Sequence, residues 1–195
     1  ARNYQFVLAV NAKDARTQTL QNDARNALAK IYQQSGQLDL AAKQYAAYAT
    51  LNSKDQKAVN GFFNAAVIWD GLGVTDEASQ NYEKYRKFSK KADRNDTFFA
   101  EAQMWRRRKN EKRAIQFYQA YLDNGGTDEA RRIESVFRIA EYNKVSGQPT
   151  KAAKGYTQVL AMHKVAQPLA REASVRFLAE SRFNTAQPIR SDMAM

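Results

Sequence analysis

Four separate slots in this chain of 195 residues recur with one irregular rhythm. Gly36 is followed by Gly73 after 37 residues, by Lys109 after 36 more and by Gly147 after 38 more. The same three steps lead from Ala29 to Ala66, Ala102 and Ala140, and from Ala41 to Ala78, Ala114 and Ala152. They lead again from Tyr45 to Tyr82, Tyr118 and Tyr156, while Tyr32, Trp69 and Trp105 keep step and Asn143 takes the fourth position. A period of roughly 20 to 50 residues belongs to a solenoid or array, in which each unit leaves its apolar face for a neighbour to cover.

Inside a unit the apolar spacing is helical. Leu28, Ala29 and Tyr32 are followed by a Ser35-Gly36-Gln37 break, and then Leu38, Ala41, Ala42, Tyr45, Tyr48 and Ala49 resume at steps of three and four. That pattern predicts two amphipathic helices joined by a short turn. The glycine suits a left-handed helix end, where a Cβ is costly. Thr75-Asp76-Glu77 reads as a helix start, and Pro149 stands where a first-turn proline is tolerated. In the third unit Lys109-Asn110 replaces the glycine, and asparagine is the next most tolerant residue for that backbone, so the same turn is expected. The small residues at Ala29, Ala66, Ala102 and Ala140, and at Ala41, Ala78, Ala114 and Ala152, let the paired helices approach closely.

A helix with a small residue and then an aromatic, a glycine turn, and an alanine followed four later by a tyrosine resembles the tetratricopeptide repeat (TPR). The matching residues are Leu28-Ala29, Tyr32, Gly36, Ala41 and Tyr45, then Ala65-Ala66, Trp69, Gly73, Ala78 and Tyr82. The third unit gives Ala102, Trp105, Ala114 and Tyr118, and the fourth Ile139-Ala140, Gly147, Ala152 and Tyr156. Steps of 36 to 38 exceed the usual 34 or so, and no proline closes the units at Ser53 or Lys90, so longer helices or linkers are expected. The resemblance implies an all-α fold, a right-handed α-solenoid of antiparallel helix pairs with about ten helices.

The expected units cover about residues 22–53, 59–91, 95–125 and 133–164. They are flanked by partial units at 1–13 and 168–185 and a tail at 186–195. The first partial unit, with Tyr4, Phe6, Val7, Leu8 and Val10, reads as a second helix without its first. The last, with Leu169, Ala173, Phe177 and Leu178, reads as a first helix without its second, and the chain as a piece of a longer repeat protein.

Composition removes several kinds of chemistry. No cysteine means no disulfide framework, thiolate metal site or cysteine nucleophile, and the single histidine, His163, has no carboxylate three or four residues away. There is no glycine-rich phosphate loop, no metal-ligand spacing and no apolar run of membrane-spanning length. No cofactor or metal is expected, and the chain reads as non-catalytic.

Two surface features could carry function. The net charge of +11 is concentrated between Lys84 and Arg113, where twelve basic residues face four acidic ones. The candidate patch is Lys84, Arg86, Lys87, Lys90, Lys91, Arg106, Arg107, Arg108, Lys109, Lys112 and Arg113, expected to cluster in space. It is either a solvated face or a site for an anionic polymer such as RNA, an acidic glycan or a lipid surface, with salt-sensitive binding. The second feature is an aromatic ladder at Phe62-Phe63, Phe98-Phe99 and Val136-Phe137. By the resemblance, Phe63, Phe99 and Phe137 face a concave groove near Asn64, Gln103, Arg106 and Glu141. Such a groove would suit an extended or helical partner segment; otherwise the rings simply fill the seam between units.

Asn26 and Lys30 match part of the carboxylate clamp of some TPR domains, but the phenylalanines interrupt that pattern. The expected function is a protein-interaction scaffold within a larger assembly; anionic-polymer binding and a spacer or self-association module stay open. Absence of cysteine and the commonness of TPR-like arrays in bacterial envelope machinery lean the expected location toward the periplasm or envelope, with the cytoplasm left open.

Overall fold

The computed structural model describes residues 2–11 and 14–186. Among them are ten helices and no strand: α1 (Arg2–Ala9), α2 (Ala15–Gln34), α3 (Leu38–Leu51), α4 (Gln56–Leu72), α5 (Thr75–Phe88), α6 (Lys91–Arg107), α7 (Glu111–Asp123), α8 (Glu129–Val145), α9 (Pro149–Val165) and α10 (Pro168–Ala186). The expected tail at 186–195 falls, from residue 187 on, outside the described residues. The chain forms two compact units, Ala1–Thr97 and Phe98–Met195, and the division falls inside α6.

In the N-terminal unit each of α1 to α4 packs on the next helix in order. Leu28, Tyr32 and Ala41 form one buried cluster with Leu8, Leu40 and Ile68 against it. Ala49, Val59, Phe62 and Tyr85 form another, with Phe63 and Phe88 alongside. In the C-terminal unit α7 packs on α8, α8 on α9, and α10 on both α8 and α9. Its core joins Ile133, Val136, Phe137, Ala140, Ala152, Tyr156, Val159 and Phe177. All eight repeated alanines are buried, as are Tyr45, Tyr82, Tyr118 and Tyr156.

The four turns share one geometry. Gly36, Gly73, Lys109 and Gly147 have φ of 75°, 83°, 58° and 71°. In each, the next residue's amide donates to the carbonyl five residues back: Gln37 to Tyr32 at 2.8 Å, Val74 to Trp69 at 2.9 Å, Asn110 to Trp105 at 3.0 Å and Gln148 to Asn143 at 2.8 Å. This bond satisfies a helix-end carbonyl and is why a left-handed residue recurs there. The third turn corrects one detail. Lys109, rather than the more tolerant Asn110, takes the left-handed conformation, because Asn110 caps α7 by accepting from the Arg113 amide at 3.1 Å. The residues in excess of about 34 lie largely in first helices of 17 to 20 residues, α2, α4, α6 and α8.

Candidate partner-binding site

The aromatic ladder is, first of all, an internal seam. Phe63 is half-buried, with its ring centroid 6.1 Å from that of Tyr82 and 5.6 Å from that of Tyr85. Phe99 repeats the arrangement with Tyr118 at 5.8 Å and Tyr121 at 5.5 Å. Phe137 meets Tyr156 at 6.1 Å. First-helix phenylalanine against second-helix tyrosine is thus one edge-on or tilted contact made three times, a favoured geometry for aromatic pairs.

Above these rings the slots diverge. Phe137, expected in the groove, has no exposed surface, because Phe177 of α10 closes over it at 5.0 Å and the Arg138 guanidinium lies over both rings. Its place is the core of the C-terminal unit. Phe99 stays half-buried under the guanidinium of Arg131, 5.4 Å from its centroid. The neighbours Gln103, Arg106 and Glu141 are engaged as well. Gln103 accepts from Arg106 at 3.2 Å, and Glu141 accepts from the Tyr156 hydroxyl at 3.0 Å. Burial, more than the adjacent Glu141, holds the Tyr156 hydroxyl far above the ordinary phenol range. Tyr118 is pushed up to about 12, chiefly by burial, with Glu134 adding to the shift and Arg106 and Arg138 opposing it. Glu134 in turn pairs with Arg138 at 3.4 Å and Arg176 at 3.8 Å.

The N-terminal unit has a different face. A cleft of about 230 Å³ is lined by Asn26, Tyr45, Tyr48, Asp55, Lys57, Asn60, Gly61 and Asn64. Its floor depends on Gly61, since a Cβ there would lie 2.6 Å from the Tyr45 carbonyl oxygen and 3.1 Å from the Ala49 Cβ. Only glycine lets α4 come this close to α3. Asp55 caps α4 by accepting from the Lys57 amide at 2.9 Å, and the Tyr45 hydroxyl donates to Gln33 at 2.8 Å. Burial, with Asp55 and Asp23 adding to it, raises the Tyr48 hydroxyl above its usual range.

The side-chain amides of Asn26, Asn60 and Asn64 have no hydrogen-bond partner among the described residues. Gln56, Asn60 and Asn64 follow at four-residue intervals and so share one face of α4. An adjoining opening of about 330 Å³ continues past Lys57 and Asn60 to Gln56, Tyr85, Lys90 and Asp93. Asn64 was legible as a candidate from its place beside the phenylalanine slot. Asn60 and Tyr48 were not, although the four-residue amide spacing on a helix otherwise rich in apolar residues carries the signal.

The basic stretch is shared between the two units. Lys84, Arg86, Lys87 and Lys90 lie at and just beyond the C-terminal end of α5, whereas Arg106, Arg107, Arg108, Lys109, Lys112 and Arg113 surround the turn from α6 to α7. The Lys91 side chain falls outside the described residues. Several of these cations are engaged locally: Arg86 donates to the Thr97 hydroxyl at 3.4 Å, Lys87 lies over Phe88 and Arg113 lies 4.3 Å over Trp105. Elsewhere, His163 Nε2 is 3.2 Å from the Arg171 carbonyl oxygen. Among the described residues no group of three His, Asp or Glu could hold a metal, and no helix is long and apolar enough to cross a membrane.

No family model matches the chain, and no curated protein matches it. Solved structures do. MamA superposes with a TM-score of 0.54 at 13% identity, over 84% of this chain and 86% of that one. BtubC from P. vanneervenii gives 0.53 at 16% identity, over 100% and 76%. A tetratricopeptide repeat protein from Parabacteroides merdae gives 0.53 at 14% identity, over 96% and 72%. With the helix pairs and the four shared turns, these likenesses establish the fold as a TPR-like helical repeat.

Proposed function

We propose that the chain is a non-catalytic interaction scaffold whose N-terminal unit holds an extended segment of a partner protein. The observation that carries this reading is the trio of uncommitted amides, Asn26, Asn60 and Asn64, around one cleft. Each offers two donors and an acceptor, the complement of a peptide unit, so such a row can pair with a backbone whatever its side chains. Tyr48 and Lys57 then add a hydroxyl and a charge that could select among sequences.

The test is selection of displayed random peptides on the intact chain, followed by titration of the winners against the Asn60→Ala/Asn64→Ala double variant. Both side chains are exposed, so the variant should keep its melting temperature while binding weakens about tenfold or more. Unchanged affinity would sink the assignment.

A second reading, capture of an anionic polymer, rests on residues 106–113 at the α6–α7 turn, a stretch of sequence with six cations and one carboxylate, Glu111. It predicts a steep fall of RNA or acidic-glycan affinity with salt, abolished by Arg107→Ala/Arg108→Ala/Lys112→Ala. A flat salt response would remove it.

A further inference from the structure

The aromatic that fills one slot in the first three units is missing from the fourth. Tyr32, Trp69 and Trp105 are all buried, at 7%, 9% and 6% exposure. The same position in the fourth unit is Asn143, and 38 residues beyond Phe117 stands Gly155. In the third unit Arg113 lies 4.3 Å over the Trp105 ring; in the fourth its counterpart, Lys151, has no ring beneath it among the described residues.

An open cleft of about 390 Å³ takes the place of those rings, between α7, α8 and α9. Its apolar lining includes Leu122, Val136, Ile139 and Met162. Gly155 cannot be enlarged without displacing α9, since a Cβ there would lie 2.7 Å from the Ala140 Cβ. Arg132, Lys151 and Lys154 line the cleft too, all three exposed, and no carboxylate does. Among the described residues none of the three has an ion-pair partner. Of the nearby acids, Asp123 accepts from the Gln119 amide at 2.8 Å and Glu129 from the Gln167 backbone amide at 2.7 Å.

We propose that this cleft is a second docking site, which takes one large apolar side chain, preferably aromatic, from a partner segment bearing carboxylates beside it. The partner's ring replaces the one the fourth unit lacks, and its carboxylates meet Arg132, Lys151 and Lys154. Charge complementarity selects this occupant: a basic segment would be repelled, and a neutral one would leave three cations unanswered. Asn143 and Gln158, whose amides are uncommitted among the described residues, can pair with the segment's backbone. The site lies wholly within the C-terminal unit and is independent of the asparagine cleft.

The experiment selects displayed random peptides on the intact chain carrying Asn60→Ala/Asn64→Ala, which removes the N-terminal site from the competition. Winners should share an aromatic residue next to Asp or Glu. They should bind at least about tenfold more weakly when Asn143→Trp refills the slot, and likewise with Lys151→Glu/Lys154→Glu. The charge pair, being exposed, keeps the test decisive if the tryptophan variant folds poorly. Winners without the aromatic-acidic motif, or binding that survives both sets of changes, would overturn the proposal. So would binding of phosphatidylglycerol vesicles, but no peptide, in a manner sensitive to Asn143→Trp, since that would assign the cleft to lipid.

Discussion

The ring of Phe177 closes over that of Phe137, with centroids 5.0 Å apart and planes inclined by 38°. That contact ties α10 to α8 and puts into the core a residue whose counterpart Phe99 stays half-buried. Truncating Phe137→Ala removes a fully buried ring and should cost about 3–5 kcal/mol, read from urea unfolding. Phe99→Ala, at a half-buried site, should cost clearly less. Equal losses would mean that the two slots are packed alike.

The turn residues give a pair of opposite substitutions. Lys109 pays the steric cost of a left-handed backbone at φ 58°, so Lys109→Gly should raise stability by up to about 1 kcal/mol. Gly147 has φ 71° and open space where a Cβ would stand, so Gly147→Ala should destabilise by about 1 kcal/mol through backbone strain alone. Thermal unfolding of both variants checks the signs.

Gly61 is a different kind of glycine, because its constraint is space. A Cβ 2.6 Å from the Tyr45 carbonyl oxygen must push α4 from α3, so Gly61→Ala should cost about 1–3 kcal/mol and distort the asparagine cleft. Differential scanning calorimetry together with peptide titration would show both effects. A stable variant with intact binding would contradict the close approach.

Alkali should expose the buried tyrosines. Tyr118 holds its proton up to about 12 in the folded chain, against 10.0 for an ordinary phenol. The folded state therefore binds more protons than the unfolded one between those values, and this group's contribution to stability falls as pH rises through that interval and is complete below it. Tyr118→Phe should lose less stability than the parent between pH 10 and 12. Tyrosinate absorbance should show Tyr118 and Tyr156 ionising well above the ordinary phenol range and, if the chain unfolds in alkali, together with that transition.

The repeat is legible along the chain: helix pairs, their turns, and the alanine and tyrosine slots. Each is specified by spacing within a few dozen residues and by the local cost of a Cβ, a left-handed backbone or an uncovered apolar stripe. What each surface offers depends on packing between elements distant in the chain. Phe137 is core because Phe177, 40 residues away in the chain, lands on it, and Asn60 joins Asn26 at one cleft because Gly61 lets two helices meet. Periodicity reports which residues share a helix face; exposure depends on which distant element covers that face, and no local spacing encodes it.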